Sequence, residues 1–475
     1  MQITFLGHQG WAFGDQDGIV LLDPLLQSMS AGPVDLPVWP ARRLEFSAMP
    51  KIAGLVISHE HPDHFDIETL INLPYRGDVW IPDLSTSALA TCLRELGFTV
   101  RRYGPFQSFT PGAGVEFTPL APDFFKTEVD VYGLLVRREE KSFLTMIDTW
   151  PSPITFAWLE EHCPRRTLDN FTNNSVVRSR YLSVDRTEPA AIREKAIAST
   201  LESAVTWVDG FSPTRVAISG QGWSFPAPHA HFDLLTIAST HDDIAPPLRK
   251  QFPDVAWFIP LPGQSFDTAT EEWSTEIASF VKPLPCAPRS FDPASVGVPE
   301  FRPWGDSKVM SERDRERVST FIETDFGRRL AAHADGVIGG LYQLHALPDL
   351  ELDARLFLRV RDGARWTDYA FDLSEYRFRP VDVDRNPVEG FAIGLDLWGT
   401  DLVTLLDGEC VPWMVYDTAA RFWNHLPEAF PPVMLFEVFD WFTPRFRTDV
   451  HLQYYRSVVR RFRAAASHPE TLEER

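Results

Sequence analysis

Only four cysteines occur in 475 residues: Cys92, Cys163, Cys286 and Cys410, far apart along the chain. That scarcity excludes a disulfide-built scaffold, and the spacing suits neither a zinc knot nor an iron–sulfur cluster. Reduced, mostly buried thiols in a cytoplasmic protein are expected. Positive charge is also in deficit, since 45 Lys and Arg face 66 Asp and Glu, for a formal charge of −21. So acidic a chain is not built for nucleic acid or an anionic membrane, both of which reward positive charge. The stretch RSVVRRFR near the C-terminus is a local exception, read as the solvated face of a helix. No apolar run is long enough to cross a bilayer. The opening MQITFLGHQGWAF lacks the basic start and apolar stretch of a signal peptide, so a cytoplasmic location is expected.

What is present supports packed cores, with 44% hydrophobic and 13% aromatic residues. A chain of this length divides into domains. ITFLG, GWAFG and GIVLLDP follow one another like an antiparallel meander. GLVIS, DVWIPD, TVRRYG, VYGLLVRR and SFLTMID then read as strands, with the helix TSALATCLRELG among them. A longer helix, EPAAIREKAIASTLESAVTWVDGF, precedes strand-like RVAISG and AWFIPL. Strands alternating with helices indicate an α/β domain over residues 1–282. The proline-rich residues 283–304 read as a linker. Residues 305–475 read as an α+β domain without a chemical motif. It opens with the helix SERDRERVSTFIETDFGRRLAAHA, capped by Ser-x-x-Asp. LDARLFLRVRDG, RWTDYAFDL and FAIGLDLWG alternate like sheet, and the aromatic-rich FWNHLPEAFPPVMLFEVFDWF reads as helical material forming a core or an interface between copies of the chain.

The chemistry concentrates in LVISHEHPDHFDIETL, residues 55–70, where three histidines and two aspartates fall within eight positions. A strand ending in LVIS delivers His59 and His61 at alternate positions, pointing the same way. Asp63 and His64 follow a turn later and face a second point. Two imidazoles, then a carboxylate and an imidazole, are the donors of two adjacent metal positions, which in dinuclear sites lie about 3.5–4 Å apart.

This stretch resembles the His-x-His-x-Asp-His motif of the metallo-β-lactamase superfamily. FLGHQGWAF is similar to the first strand and turn of its sugar-lactone hydrolase branch, and LLDP at residues 21–24 resembles its Asp-Pro. TMIDT looks like the segment that supplies the bridging aspartate, here Asp148. The resemblance implies an αββα sandwich with metals at one edge of its two sheets, followed here by the α+β C-terminal domain. It implies His59 and His61 at the first metal, Asp63 and His64 at the second, and Asp148 bridging. Asp63 and Asp148 would also serve the chemistry.

The hydrolases place a further histidine before the bridging aspartate, whereas this chain has none between His64 and His162. LAPDFFKTEVDVYGLLV offers Asp123, Glu128 and Asp130 instead, with Asp130 the first choice as third ligand and Glu128 the runner-up. The last histidine of the hydrolases has no counterpart at the end of RVAISG. His229 and His231 come several residues later, and His229 is the candidate ligand. Two histidines and a carboxylate with open positions is the set associated with non-haem iron that handles dioxygen.

The order of these segments resembles the branch of CMP-N-acetylneuraminate hydroxylase and, more loosely, di-iron β-hydroxylases. The Cys-x-His and Cys-x-x-His pairs of that branch's Rieske module are missing. No iron–sulfur cluster is therefore expected, and electrons would come from a separate donor protein or a small reductant. The resemblance implies two metal ions, iron favoured over zinc or manganese, acting with dioxygen on a small molecule. Asn173, Asn174, Arg178, Arg180 and Tyr181 correspond to the region above the metals and are candidates for binding a polar substrate group. His8 reads as hydrogen-bonding support, and Trp223 and Phe225 as candidate pocket walls. A di-iron oxygenase is the leading reading. A zinc or manganese hydrolase of a lactone, amide or phosphodiester is the alternative.

Overall fold

The computed structural model describes residues 1–475 except 31–34, 124–130, 174–181, 184–188, 226–238, 287–300, 306, 384–385, 413, 416–418, 427–436, 441, 444–446 and 467–475. Most of the expected linker therefore lies outside the described residues.

The first three strands, Gln2–Gly7, Gly10–Asp15 and Gly18–Leu22, are almost wholly buried along their length. Such runs show little polar alternation because both faces of the sheet are covered. Ile3, Phe5, Trp11, Phe13 and Val20 point inward and meet Val115, Phe117, Leu134, Val136 and Phe143 of a second sheet. Phe13 and Phe117 pack edge to face, with ring centroids 5.6 Å apart. Fully burying a side chain of this size stabilises the fold by roughly 1.5–3 kcal/mol. The alternate set, including Ala12, Leu21, Leu55 and Ile57, faces outward and packs on Leu70, Leu89 and Leu93 of covering helices. On the far side of the second sheet, Leu135, Leu144 and Ile218 pack against Leu159, Trp207 and Leu248 of three more helices. The result is an αββα sandwich.

In spatial order the first sheet runs Glu272–Trp273, Ser265–Asp267, Gln2–Gly7, Gly10–Asp15, Gly18–Leu22, Ile52–Val56, Asp78–Pro82 and Thr99–Tyr103. The second runs Phe109–Gly112, Val115–Leu120, Gly133–Arg138, Lys141–Thr145, Leu168–Thr172, Arg215–Ser219 and Ala256–Phe258. Both sheets are mixed, with hairpins joining most antiparallel neighbours and helices returning the chain between most parallel ones. Gly18–Leu22, Ile52–Val56, Asp78–Pro82 and Thr99–Tyr103 are parallel neighbours. So are the four strands from Lys141–Thr145 to Ala256–Phe258. Parallel strands bring their C-terminal ends to one edge, where ligand-binding loops gather in open α/β sheets.

A third sheet orders Leu182–Ser183, Ala420–Asn424, Phe391–Trp398, Asp353–Asp362, Arg365–Asp372 and Arg377–Pro380. Paired hydrogen bonds from Arg359 to Asp368 and from Arg361 to Asp396 lace its surface. Ala420–Asn424 was expected to be helical. It is a strand because Trp423 lies flat over Gly394, where a Cβ would stand 2.1 Å from the indole, and its Nε1 donates to the Phe391 carbonyl at 3.1 Å. Sequence spacing does not reveal that glycine–tryptophan fit. Further along, the expected cap is present, with the Ser311 hydroxyl accepting the Asp314 N–H at 3.2 Å. Among the described residues no helix is long and apolar enough to cross a membrane.

Candidate metal centre

The site lies at the C-terminal edge shared by both sheets. The Ile52–Val56 strand runs into Ser58 and His59, and the chain then turns, with the N–H groups of His64 and Phe65 both donating to the His61 carbonyl. That turn folds His64 back beside His59, their ring centroids 4.2 Å apart. Asp148 arrives from the second sheet, just beyond the Lys141–Thr145 strand. Its Oδ2 lies 3.0 Å from His64 Nε2 and 3.6 Å from His59 Nε2. His59 Nε2 and His61 Nδ1 stand 2.9 Å apart. Asp63 Oδ2 lies 3.5 Å from His64 Nε2 and 3.0 Å from His8 Nε2. Two groups of metal-type donors thus form among the described residues, His59–His64–Asp148 and His8–Asp63–His64, each with its atoms mutually within 4.8 Å.

The buried shell behind these donors sets which nitrogen faces the site. Asp23, at the end of the Gly18–Leu22 strand, accepts from the Ser58 N–H at 2.8 Å and the Ser58 hydroxyl at 2.6 Å. With its proton given to Asp23, the Ser58 oxygen accepts from His59 Nδ1 at 2.9 Å. His64 Nδ1 donates to Asp23 Oδ2 at 2.7 Å. Both imidazoles therefore carry Nδ1–H and turn Nε2 toward Asp148, the arrangement that orients ligating histidines. The close pair of His59 Nε2 and His61 Nδ1 is then satisfied by a proton on His61 or by a cation held by both. Gln9 donates its amide to Asp148 Oδ1, and the Thr172 hydroxyl donates to Gln9 Oε1 at 3.1 Å. At His8 the Gly222 N–H donates to Nδ1 at 3.3 Å, so Nε2 carries the proton toward Asp63. His8 is thereby a support for Asp63.

Charge follows the same geometry. Burial alone would push His64 down, but Asp63, Asp148 and Asp23 outweigh it and hold the imidazole well above the ordinary histidine value. His59 is driven well below it, by burial first and then by its neighbours His64 and His61. Burial would raise Asp63 and Asp148, yet His64 beside each carboxylate holds it below the usual range. The described ion pairs of Asp63 and Asp148 all run to histidines. Two carboxylates, Asp63 and Asp148, crowded among imidazoles form a donor set that fits cations, with the Asp23 carboxylate behind them. Three non-glycine residues with left-handed backbone flank it, namely His8 at φ 54°, Asp23 at 45° and Ile147 at 56°. For a β-branched residue such as Ile147 that conformation is rare, and strain of this kind clusters at functional sites.

These strands, their order and the motif at their shared edge decide the fold. The chain has the metallo-β-lactamase fold. No protein-family model matches it. Two curated proteins of Mycobacterium tuberculosis, provisionally named Rieske 2Fe-2S iron–sulfur proteins, are 32% identical over 103 residues. That stretch is 21% of this chain and spans only 19% of theirs. Among solved structures, the metallo-β-lactamase fold protein YhfI from Bacillus subtilis is 14% identical over 56% of this chain and 99% of its own, with a TM-score of 0.38. CmlA, a di-iron β-hydroxylase from Streptomyces venezuelae, is 18% identical over 55% of this chain and 53% of its own, with a TM-score of 0.38. An isothiocyanate hydrolase from Delia radicum gut bacteria is 14% identical over 56% of this chain and 99% of its own, with a TM-score of 0.39. Likeness at this level concerns the chain trace and not the chemistry.

Of the residues expected at the site, His59, His61, Asp63, His64 and Asp148 come together. Glu128, Asp130, His229, Asn174, Arg178, Arg180 and Tyr181 lie outside the described residues. Asn173 is buried, and its amide is bonded to Ser239, donating to the carbonyl at 3.3 Å and accepting the hydroxyl at 3.4 Å. Asp123 is tied through its backbone N–H to the Trp150 carbonyl. Trp223 packs edge-on to His8 at 5.8 Å, whereas Phe225 turns toward Trp304 in the core. Ser58 and Gln9 escaped the sequence reading, and Asp23 entered it only through the LLDP match, without a role at the site. The signal for Asp23 was the LLDP match itself, which puts the aspartate directly after the Gly18–Leu22 strand.

Proposed function

We propose that this chain is a dinuclear metal enzyme, a non-haem di-iron oxygenase that hydroxylates or otherwise oxidises a small molecule with dioxygen. The observation that carries the reading is the donor set. Carboxylates Asp63 and Asp148 stand among three histidines, and the sequence holds no histidine between His64 and His162 to complete a nitrogen-rich first position. Asp130, with Glu128 next, is the residue proposed for that position. Anionic oxygen donors suit iron that changes oxidation state, and two histidines with one carboxylate is the set of non-haem iron oxygenases. Bound iron would supply the redox chemistry by which one oxygen atom enters the substrate and the other leaves as water, using two electrons and two protons.

The chain's own residues do the rest. His59 and His61 would hold the first ion, Asp63 and His64 the second, and Asp148 would serve both. His229 is a further candidate for the second. Asp23 and Ser58 keep Nε2 of His59 and His64 directed inward, while Gln9 fixes the far oxygen of Asp148. Asn174, Arg178, Arg180 and Tyr181 are assigned to the polar group of the substrate. Electrons come from a separate donor protein or a small reductant, since the four cysteines lack Rieske pairing. The names of the mycobacterial relatives support iron redox chemistry in related chains. Asp63, held by His8, equally suits a metal-dependent hydrolase, which is the second reading.

Protein from iron-supplemented cells, reduced anaerobically and then exposed to oxygen, separates the two. The oxygenase is expected to carry iron, to consume oxygen and to change its visible absorption on exposure. Zinc in the site with no absorption change, or substrate turnover without oxygen and reductant, assigns it to the hydrolases.

A further inference from the structure

From the structure we infer that the C-terminal helix, Thr448–Ala466, positions the metal-binding loop through Tyr455. Glu60 stands between His59 and His61 in sequence, and its carboxylate bonds to Thr86 and Tyr455. It is buried and anchored behind the site. One oxygen accepts the Thr86 N–H, and the other accepts the Thr86 hydroxyl at 2.9 Å and the Tyr455 hydroxyl at 3.2 Å. Thr86 caps the Ser87–Glu95 helix of the sandwich, whereas Tyr455 lies 395 positions beyond Glu60. The Tyr455 ring also packs edge-on to Phe65, directly after His64, at 5.2 Å. One side chain thus touches the loop at both ends of its donor run.

The remaining contacts of the helix reach the frame around the loop. Tyr454 donates to the Ser30 carbonyl at 3.2 Å, Arg456 pairs with Glu95, and Arg461 pairs with Asp35 at 2.7 Å. Those contacts dock the helix, and Tyr455 carries its position to the histidines. Tyr455 touches no metal donor itself and acts through Glu60, as a positioning residue. Loss of a hydrogen-bond partner made directly to a metal ligand costs about 10–100-fold in metal affinity, and Tyr455, one step further out, is placed at the low end of that range.

This inference rests on reading the His59–Asp148 cluster as a metal centre, and the test separates the two claims. Tyr455→Phe removes the hydroxyl and keeps the ring on Phe65. Cobalt(II) affinity is measured by chelator competition, together with the cobalt absorption bands and the melting temperature of the metal-free protein. Arg456→Ala serves as the control that loosens the same helix at an exposed pair. Tyr455→Phe is expected to weaken cobalt binding by about tenfold or more and to shift the bands. Arg456→Ala is expected to leave both as in the wild type while matching Tyr455→Phe in melting temperature. Equal affinity and unchanged bands in Tyr455→Phe, or an equal loss in Arg456→Ala, overturns the role of Tyr455 alone. A wild-type protein that binds no cobalt overturns the metal centre itself.

Discussion

Asp148→Ala is expected to empty both metal positions at once, lowering bound metal from about two equivalents per chain to fewer than about one. The reason is geometric. Asp148 Oδ2 lies within 3.6 Å of His59 Nε2 and 3.0 Å of His64 Nε2, so one carboxylate serves donors on both sides. Removing it also frees the Gln9 amide that is bonded to its other oxygen. The loss in affinity is expected to exceed the roughly 10–100-fold that follows loss of an outer hydrogen-bond partner. Asp148→Asn, which keeps the shape and loses the charge, is expected to fall between. Metal analysis after dialysis against a weak chelator reads both variants. A full complement of metal in Asp148→Ala would remove Asp148 from the site.

Asp401→Asn is expected to stabilise the protein at pH 8 and to leave it unchanged near pH 4. Asp401 is buried, its Oδ1 accepts the Trp304 N–H at 3.0 Å, and its Oδ2 has no hydrogen-bond partner among the described residues. Burial pushes this carboxyl up to about 8 from its ordinary 3.8. Below the unfolded value both states hold the proton, and the group's contribution to stability is fully present. Between the two values the unfolded chain releases its proton while the folded chain keeps it, so stability falls as pH rises. The slope is up to about 1.4 kcal/mol per pH unit and flattens above the folded value. Urea unfolding of both proteins at several pH values is the check. The wild type should fall behind the variant steadily between pH 5 and 8, and a constant gap would contradict a neutral buried Asp401.

The sandwich and the heart of the site were legible because their signals are local. His59, His61, Asp63 and His64 lie within six positions, and the strand before them fixes where they point. Asp148 follows a strand of the second sheet, and TMIDT announced it. The supporting shell was less legible because it depends on neighbours in space. Asp23 meets Ser58 only through the parallel register of two strands separated by a long excursion. Gln9 reaches Asp148 across 139 positions and Tyr455 reaches Glu60 across 395. Asn173 shows the converse, since a polar residue chosen for a ligand is bonded inside the protein to Ser239. The strand around Trp423 escaped because aromatic-rich segments read equally well as buried helix or buried strand.

Crystals of protein grown with iron, measured on both sides of the iron and zinc absorption edges, test the metal centre most directly. Two anomalous peaks about 3.5–4 Å apart are expected, one beside His59 and His61, the other beside Asp63 and His64, with Asp148 between them and iron at both. Peaks absent from this cluster, or zinc at both positions with a histidine completing the first, would contradict the oxygen-activating centre.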